Sequence, residues 1–227
     1  MINKNELKYI QSFAHKKHWA EESVFIIEGP KMMEELMASN FVIRQAYATK
    51  EWMESQPFKP HYVTEVADFE LDKLTQLHKS NQVIALVEKK QIKGPIQLKG
   101  KMTLILDGIQ DPGNFGTIIR TADWFGVKQL VCSLDTVDQY NPKVVQASMG
   151  SLGSVSIIYQ DLDHWLSAQK NIPVFAAVLN KEPLSLQQPL QEGILLIGNE
   201  SKGIPPHLLS DQVKQFSIPG KGRAESL

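Results

Sequence analysis

Short apolar runs alternate along this chain with segments in which apolar residues recur every three or four positions. In the second part of the chain, the runs predict six strands, at Met102–Leu106, Gln129–Cys132, Val155–Tyr159, Val174–Ala177, Ile194–Ile197 and Gln215–Ile218. The periodic segments between them predict helices at Asn114–Phe125, Lys143–Ala147, Leu162–Gln169 and Pro205–Leu209. This alternation is typical of an α/β fold with a mostly parallel sheet that is covered on both faces.

The first 90 residues show a similar alternation of elements. Helical spacing predicts helices from about Glu6 to Ala14 and from Pro30 to Met37. Apolar runs predict strands at Val24–Ile27, Ile43–Ala48, Tyr62–Val66 and Val83–Val87, with short helices between them. The pattern predicts a small α/β/α domain over residues 1–90.

A lysine-rich run separates the two parts. The segment from Lys89 to Lys101 contains five lysines, two glycines and one proline, a composition typical of a linker. We place the linker at residues 91–101, so that the second domain covers residues 102–227. A solvated connector is favoured over a strap that contacts RNA, and both interpretations stay open.

A polar turn, Asp111-Pro112-Gly113-Asn114, follows the first strand of the second domain. Asn114 is predicted to cap the next helix, whose first amide groups would point out of the carboxyl edge of the sheet, where open α/β folds bind ligands. Arg120 follows Gly116 by one turn, so Gly116 is expected to leave space on the face that Arg120 crosses to grip a phosphate. A capped surface helix with an ordinary arginine explains the same residues equally well.

Two further polar stretches follow later strands. Gly198 to Gly203 has the glycine spacing of a Walker P-loop, but Ile204 and Pro205 stand where that motif needs Lys and Ser or Thr. This departure argues against a nucleotide triphosphatase. The last stretch runs from Phe216 to Leu227, and a flexible tail is the plain alternative for it.

Composition and charge limit the function classes. Of the 227 residues 42% are hydrophobic and 22% are charged, as in an ordinary globular protein. No apolar run approaches the ~20 residues of a membrane span, the first residues lack the apolar core of a signal peptide, and the single cysteine, Cys132, suits a reducing compartment. We therefore expect a cytoplasmic protein with no membrane contact. The net charge of −1 means that any RNA contact is local, and no side-chain set predicts a metal site.

The three polar stretches, in this order, resemble the motifs of the SpoU (TrmH-like) family of S-adenosylmethionine-dependent RNA ribose 2′-O-methyltransferases, within the knotted SPOUT superfamily. The first motif is matched by Asn114, Gly116, Arg120, Thr121, Ala122, Phe125 and Gly126. The second is matched by Ile197–Ile204, and the third begins at Ile218-Pro219 and runs to Glu225-Ser226-Leu227. Asn141–Ser151 resembles the family's intervening segment, and Phe25–Gly29 is the most typical piece of its ribosomal-protein-like RNA-binding domain.

The resemblance implies a trefoil-knot methyltransferase domain over residues 102–227, an RNA substrate-binding domain over residues 1–90, and a homodimer that uses S-adenosylmethionine. It implies that Gly198, Asn199, Ile218 and Leu227 bind the cofactor and that Arg120, Asn114, Glu200 and Ser226 serve catalysis. In the family, the third motif continues past Ser-Leu into Asn-Val-Ser and a final helix. Such residues after Leu227 are expected to complete the knot, the cofactor pocket and the dimer interface.

The role of Arg120 stays open between two interpretations. Arg120 matches a residue sometimes assigned as the base in this family, yet a guanidinium holds its proton above pH ~12. A clamp on the phosphate beside the target ribose, which also stabilises the developing alkoxide, is therefore preferred. Glu200 is expected to orient Arg120 or its own turn.

Alternatives stay open for the RNA substrate and for the class of function. No motif separates ribosomal from transfer RNA, and the added first domain favours ribosomal RNA by analogy only. An inactive RNA-binding or assembly factor of the same fold would not need to bind S-adenosylhomocysteine. A small-molecule nucleotide enzyme would act on free nucleosides.

Overall fold

A computed structural model describes residues 2–57, 60–90, 96–179, 181–183 and 190–219. In chain order, its helices and strands are α1 (Lys4–Ser12), α2 (Lys16–Glu21), β1 (Val24–Glu28), α3 (Pro30–Met37), β2 (Ile43–Ala48), α4 (Lys50–Ser55), β3 (Val63–Glu65), α5 (Asp68–Leu71), β4 (Val83–Glu88), β5 (Met102–Leu106), α6 (Pro112–Trp124), β6 (Gln129–Ser133), α7 (Pro142–Ser148), β7 (Ser156–Gln160), α8 (Leu162–Ser167), β8 (Val174–Ala177), β9 (Gly193–Ile197) and β10 (Val213–Phe216). Short 3₁₀ turns occupy Ser151–Gly153 and Pro206–Leu208.

The chain forms two compact units, each with its own sheet. The first unit combines residues 1–91 with residues 116–120 and 138–154, and the second comprises residues 92–115, 121–137 and 155–227. The first compact unit thus also takes in two segments from the later part of the chain. The domain boundaries at residues 90 and 102 stay a prediction.

The sheet of the first unit has four strands in the order β1-β4-β2-β3. Strands β1 and β2 run antiparallel to β4, and β3 runs parallel to β2. All four predicted strands are confirmed to within one residue at either end. Helix α1 begins two residues earlier than predicted, because Asn3 accepts hydrogen bonds from the backbone of Asn5 and Glu6 while the Glu6 carboxylate accepts one from Asn3.

One face of this sheet is covered by a helix from much later in the chain. Helix α7 lies against β1, and the rings of Phe25 and Tyr140 pack with their centroids 4.8 Å apart. Phe25, Val144 and Val145 are buried. The segment around α7 therefore forms part of the hydrophobic core of the first unit.

The start of the lysine-rich run also belongs to this unit. The Tyr140 hydroxyl accepts a hydrogen bond from the Lys90 backbone N–H at 2.8 Å and donates one to the Lys90 carbonyl at 3.1 Å. The Lys89 ammonium donates to the Trp19 carbonyl at 2.6 Å, and the Lys90 ammonium lies 3.7 Å from the centre of the Phe41 ring. Burial lowers the pKa of both lysines. The predicted solvated connector is therefore wrong for Lys89 and Lys90, while residues 91–95 lie outside the described part of the chain.

The sheet of the second unit has six strands in the order β10-β8-β9-β5-β6-β7, and each adjacent pair is parallel. This confirms the predicted α/β class and the parallel sheet; the knot itself stays a prediction. Strand β10 begins at Val213, two residues earlier than predicted, and the predicted last helix is only the 3₁₀ turn Pro206–Leu208. No described helix is both long enough and apolar enough to cross a membrane.

The strand order reverses beside β5. From β5 the chain proceeds to β6 and β7 on one side, whereas β9, β8 and β10 lie on the other. Ligands of open α/β sheets bind at such a switch point, outside the carboxyl ends of the strands. The loops that follow β5 and β9 are therefore the place to look for a site.

We predict that Tyr140→Phe lowers the free energy of unfolding by about 1–3 kcal/mol. The substitution keeps the ring that packs on Phe25 but removes the hydroxyl that pairs with both backbone groups of Lys90. Urea denaturation measures the change. The matched control is Tyr9→Phe, whose exposed hydroxyl donates only to Glu22 and whose loss should cost less than about 0.5 kcal/mol. Equal losses in the two variants would contradict a special role for Tyr140.

Candidate active site

An open cleft of about 950 Å³ lies at the carboxyl ends of β5 and β9. Among the described residues, its charged lining consists of four carboxylates and one ammonium group, from Asp107, Asp111, Asp135, Glu200 and Lys202. All the described residues that line it belong to the second unit. The cleft therefore carries a negative local charge, which favours a cationic ligand over a phosphate.

The start of α6 presents Asn114 to this cleft. The helix begins at Pro112 and is capped by Asp111, whose carboxylate accepts a hydrogen bond from the Asn114 backbone N–H at 2.8 Å. The prediction that Asn114 itself caps the helix was therefore wrong. Its side-chain amide instead donates to the Glu200 carboxylate at 3.0 Å. Two residues implied for catalysis, 86 positions apart, thus contact each other.

The turn after β9 is tied together by Asn199. Its backbone pairs with that of Gly203, with N–H to O distances of 3.2 and 2.9 Å. Its side-chain oxygen accepts from the backbone N–H groups of Ser201 and Lys202 at 2.9 and 3.0 Å. Its side-chain nitrogen donates to the Gly108 carbonyl at 2.6 Å. The side chain therefore joins the two loops of the cleft.

Gly198 allows this turn to fold back on the strand. A Cβ atom at residue 198 would lie 2.3 Å from the carbonyl carbon of Gly203 and 2.5 Å from the nitrogen of Ile204. Both neighbours are backbone atoms, which a side-chain rotation cannot move away. Only glycine fits at this position without a shift of the loop.

The two first-motif residues Gly116 and Arg120 have different surroundings. Gly116 is buried, and a Cβ there would lie 2.5 Å from the Cβ of Ala147 and 2.8 Å from the Val144 carbonyl. The expected space beside Gly116 is thus filled by α7, and the glycine serves helix packing. Arg120 is exposed on α6, and no hydrogen bond or ion pair joins its guanidinium to another described residue.

Asp107 and Asp135 line the cleft but were missed as site residues from the sequence. Burial raises the pKa of the Asp107 carboxyl, and the nearby carboxylate of Asp135 raises it further. Asp135 accepts a hydrogen bond from the Ser133 hydroxyl at 2.6 Å, and that hydroxyl accepts one from the Gly108 N–H at 2.8 Å. Asp107 directly follows β5, so its place at the strand end was the available signal.

The remaining predicted cofactor residues lie on other strand ends or outside the described chain. Ile218 follows β10 and is 60% exposed, and Leu179, which the sequence interpretation missed, follows β8 and is 74% exposed. Strands β10, β8 and β9 are neighbours, so Ile218, Leu179 and Gly198 follow the carboxyl ends of three adjacent strands. Ser226 and Leu227 lie outside the described residues.

The parallel sheet and the polar loops at its switch point define an open α/β domain with a candidate ligand site. Residues 101–227 match the model of the SpoU rRNA Methylase family, and residues 4–85 match that of an MRM3-like substrate binding domain. The first match covers more than half of the chain. The chain therefore belongs to the SpoU rRNA methylase family, which confirms the resemblance.

Several proteins are similar along almost the whole chain. The 23S rRNA (guanosine(2553)-2′-O)-methyltransferase RlmP of Bacillus subtilis is 26% identical over 219 residues, which cover 93% of this chain and 86% of RlmP. The structure of a TrmH-family protein from Porphyromonas gingivalis is 30% identical, with a TM-score of 0.84 over 100% of this chain and 92% of that one. An AdoMet-bound rRNA methyltransferase from Sinorhizobium meliloti is 27% identical, with a TM-score of 0.82 over 100% and 90%.

We predict that Gly198→Ala lowers the free energy of unfolding by about 2–4 kcal/mol, because the new methyl group collides with backbone on the facing side of the turn. Gly126→Ala is the control. It has a φ of +75° but no neighbouring atom within 4 Å, so backbone strain of about 1 kcal/mol is the whole expected cost. Urea denaturation of both variants measures the difference. A loss for Gly198→Ala no larger than that of the control would show that the turn can shift to accommodate the methyl group at little cost in stability.

Proposed function

We propose that this chain transfers a methyl group from S-adenosylmethionine to a ribose 2′-hydroxyl of ribosomal RNA. The observation that carries the proposal is the contact between Asn114 and Glu200, which unites the first and second motifs at the switch point of the sheet. Membership of the SpoU rRNA methylase family and the names of RlmP and the Sinorhizobium meliloti protein support rRNA over tRNA as the substrate.

The residues at the strand ends suit this cofactor. Ile218 and Leu179 offer exposed apolar surface to an adenine ring, and the tight turn at Gly198 brings backbone groups to the same edge of the sheet. The carboxylates of the cleft suit a ligand with positive charge. S-adenosylmethionine supplies a methyl group on a positively charged sulfur and leaves as S-adenosylhomocysteine. Roles for Gly198, Asn199, Ile218 and Leu227 in binding it stay predictions.

Asn114, Glu200 and Arg120 would orient the ribose. The amide of Asn114, held by the Glu200 carboxylate, keeps its oxygen available to accept a hydrogen bond from a substrate hydroxyl. The exposed guanidinium of Arg120, on the same helix, is suited to a bidentate grip on a phosphate. In this proposal Arg120 would stabilise the ribose 2′-oxygen while its proton passes to solvent and the methyl carbon exchanges its bond to the sulfur of S-adenosylmethionine for one to this oxygen. A catalytic role for Ser226 stays a prediction.

We also propose a cytoplasmic homodimer. Trp124 and Phe125, at the end of α6, are 86% and 76% exposed. Apolar side chains exposed together to this degree are typical of surfaces that a partner covers. Light scattering in solution, which gives the molar mass, tests the dimer.

The first experiment is transfer of labelled methyl from S-adenosylmethionine to ribosomal RNA that lacks its modifications, followed by alkaline hydrolysis. A 2′-O-methyl group blocks cleavage at its own linkage, so we expect label in alkali-resistant dinucleotides. Transfer RNA and free nucleosides serve as parallel substrates. Label in mononucleotides would overturn ribose methylation, and preferred labelling of transfer RNA would overturn the choice of substrate. An absence of label together with an absence of S-adenosylhomocysteine binding would favour the inactive RNA-binding factor.

We predict that Arg120→Lys lowers kcat/KM for RNA by about 10- to 100-fold, because a lysine keeps the charge but loses the planar pair of donors. Calorimetric binding of S-adenosylhomocysteine is the control and should change by less than about threefold, since Arg120 is assigned to the RNA. Full activity of the lysine variant would rule out the bidentate clamp.

A further inference from the structure

Asn199 lies in the turn after β9, next to Glu200, and its side chain contacts the loop between β5 and α6. Its carboxamide oxygen accepts two backbone N–H groups of its own turn, from Ser201 and Lys202, and its nitrogen donates to the carbonyl of Gly108 on the other loop. The 2.6 Å contact to Gly108 spans 91 positions of sequence. One side chain thus shapes one loop and anchors it to the other.

These contacts leave Asn199 little capacity to bind a ligand. A carboxamide has two acceptor sites and two N–H groups, of which two acceptors and one donor are already used. Its backbone N–H and carbonyl are both paired with Gly203. A direct role in holding the cofactor, which the family resemblance implied, would therefore rest on a single remaining N–H.

The anchor point is itself held from both sides. The N–H of Gly108 donates to the Ser133 hydroxyl at 2.8 Å, while its carbonyl accepts from Asn199. Gly108 has a φ of +65°, the left-handed region that favours glycine. The backbone of Gly108, two residues after β5, is therefore held at both its N–H and its carbonyl, and it sets the position of the turn after β9.

We propose that Asn199 is a positioning residue, whose side chain braces the β9 turn against the Gly108 carbonyl and so holds Glu200 against Asn114. The adjacent Glu200 makes its 3.0 Å contact with Asn114 from within this turn. The kinetic part of the inference rests on the proposed function, because it needs methyl transfer as its readout. The brace itself is a property of the folded chain.

Two substitutions separate the anchor from the turn. Asn199→Asp keeps an oxygen for the N–H groups of Ser201 and Lys202 but places a carboxylate oxygen against the Gly108 carbonyl, whereas Asn199→Ala removes all three bonds. If the brace matters, both variants lower kcat by about 10- to 100-fold, as expected for a displaced catalytic group. Wild-type activity of Asn199→Asp would overturn the inference, since only the turn would then be needed.

The charge that Asn199→Asp adds needs its own control. Asn171→Asp makes the same chemical change at an exposed residue outside the cleft and should keep wild-type kcat. Assays at low and high salt complete this control, because salt screens an added charge but does not restore a missing hydrogen bond. A loss that disappears at high salt would mean that charge, and not the brace, is responsible.

A double-mutant cycle tests whether Asn199 acts through Glu200. We expect Asn199→Ala to have an effect below about threefold when Glu200 is already alanine, because its target is then absent. Independent, multiplied losses would overturn the positioning role. The affinity of Asn199→Ala for S-adenosylhomocysteine distinguishes a positioning role from the cofactor-binding role implied by the family resemblance. A change below about threefold supports positioning, and a loss above about tenfold would make Asn199 a cofactor contact.

Amide hydrogen exchange tests, without any need for activity, the turn hydrogen bonds that the brace requires. The Ser201 and Lys202 N–H groups should be protected in the wild-type chain and in Asn199→Asp, and should exchange at least about tenfold faster in Asn199→Ala. Unprotected amides in the wild type would overturn the brace. Protected amides in a wild-type chain that transfers no methyl group would instead show that the turn is intact and that the proposed function fails.

Discussion

The pairing of β9 with β5 is the constraint on which the candidate site depends. The two strands are separated by almost 90 residues, yet they pair in parallel from Met102 with Gly193 to Leu106 with Ile197. Parallel strands end at the same edge, so the loop from β5 to α6, which leads to Asn114, and the loop that carries Glu200 emerge side by side. The strand pairing brings these two segments close together. Hydrogen bonds from Asn199 to Gly108 and from Asn114 to Glu200 then hold them in contact. Without this strand register, the first and second motifs would not lie close enough for Asn114 to contact Glu200.

The inner strands β5, β6, β8 and β9 could be predicted from the sequence because they are mostly buried and are therefore nearly continuous apolar runs. The edge strand β10 has exposed Lys214 and Gln215 at its centre, and its start was predicted two residues late. The polar details were harder for physical reasons. Asp111 and Asn114 are both good helix caps, and the Pro112 between them, at the first position of the helix, was the signal that Asp111 is the cap. The contact of Asn114 with Glu200 follows from strand order, which periodicity does not reveal. Only the family resemblance placed these two residues together beforehand.

The lysine-rich run and the glycines pointed to particular residues, but the sequence did not show what those residues contact. Lys89 and Lys90 belong to a run whose composition is typical of a linker, yet their ammonium groups contact a carbonyl and an aromatic ring. Gly116 was expected to leave space on the helix face that Arg120 crosses, but α7 packs closely against it instead. In both cases the sequence identified residues with special requirements. The groups that these residues contact come from segments about 30 to 70 residues away, which a local pattern does not contain.

The cover that α7 provides for the first sheet has a consequence for the newly made chain. Strand β4, the last of that sheet, ends at Glu88, but α7 is complete only at Ser148, about 60 residues later. At ordinary rates of synthesis, of the order of 5–20 residues per second, the Phe25 face of the sheet waits several seconds for its covering helix. During that interval an apolar surface is open to chaperones and to neighbouring nascent chains. The sheet of the first unit is therefore synthesised before the helix that covers its apolar face and protects it from aggregation.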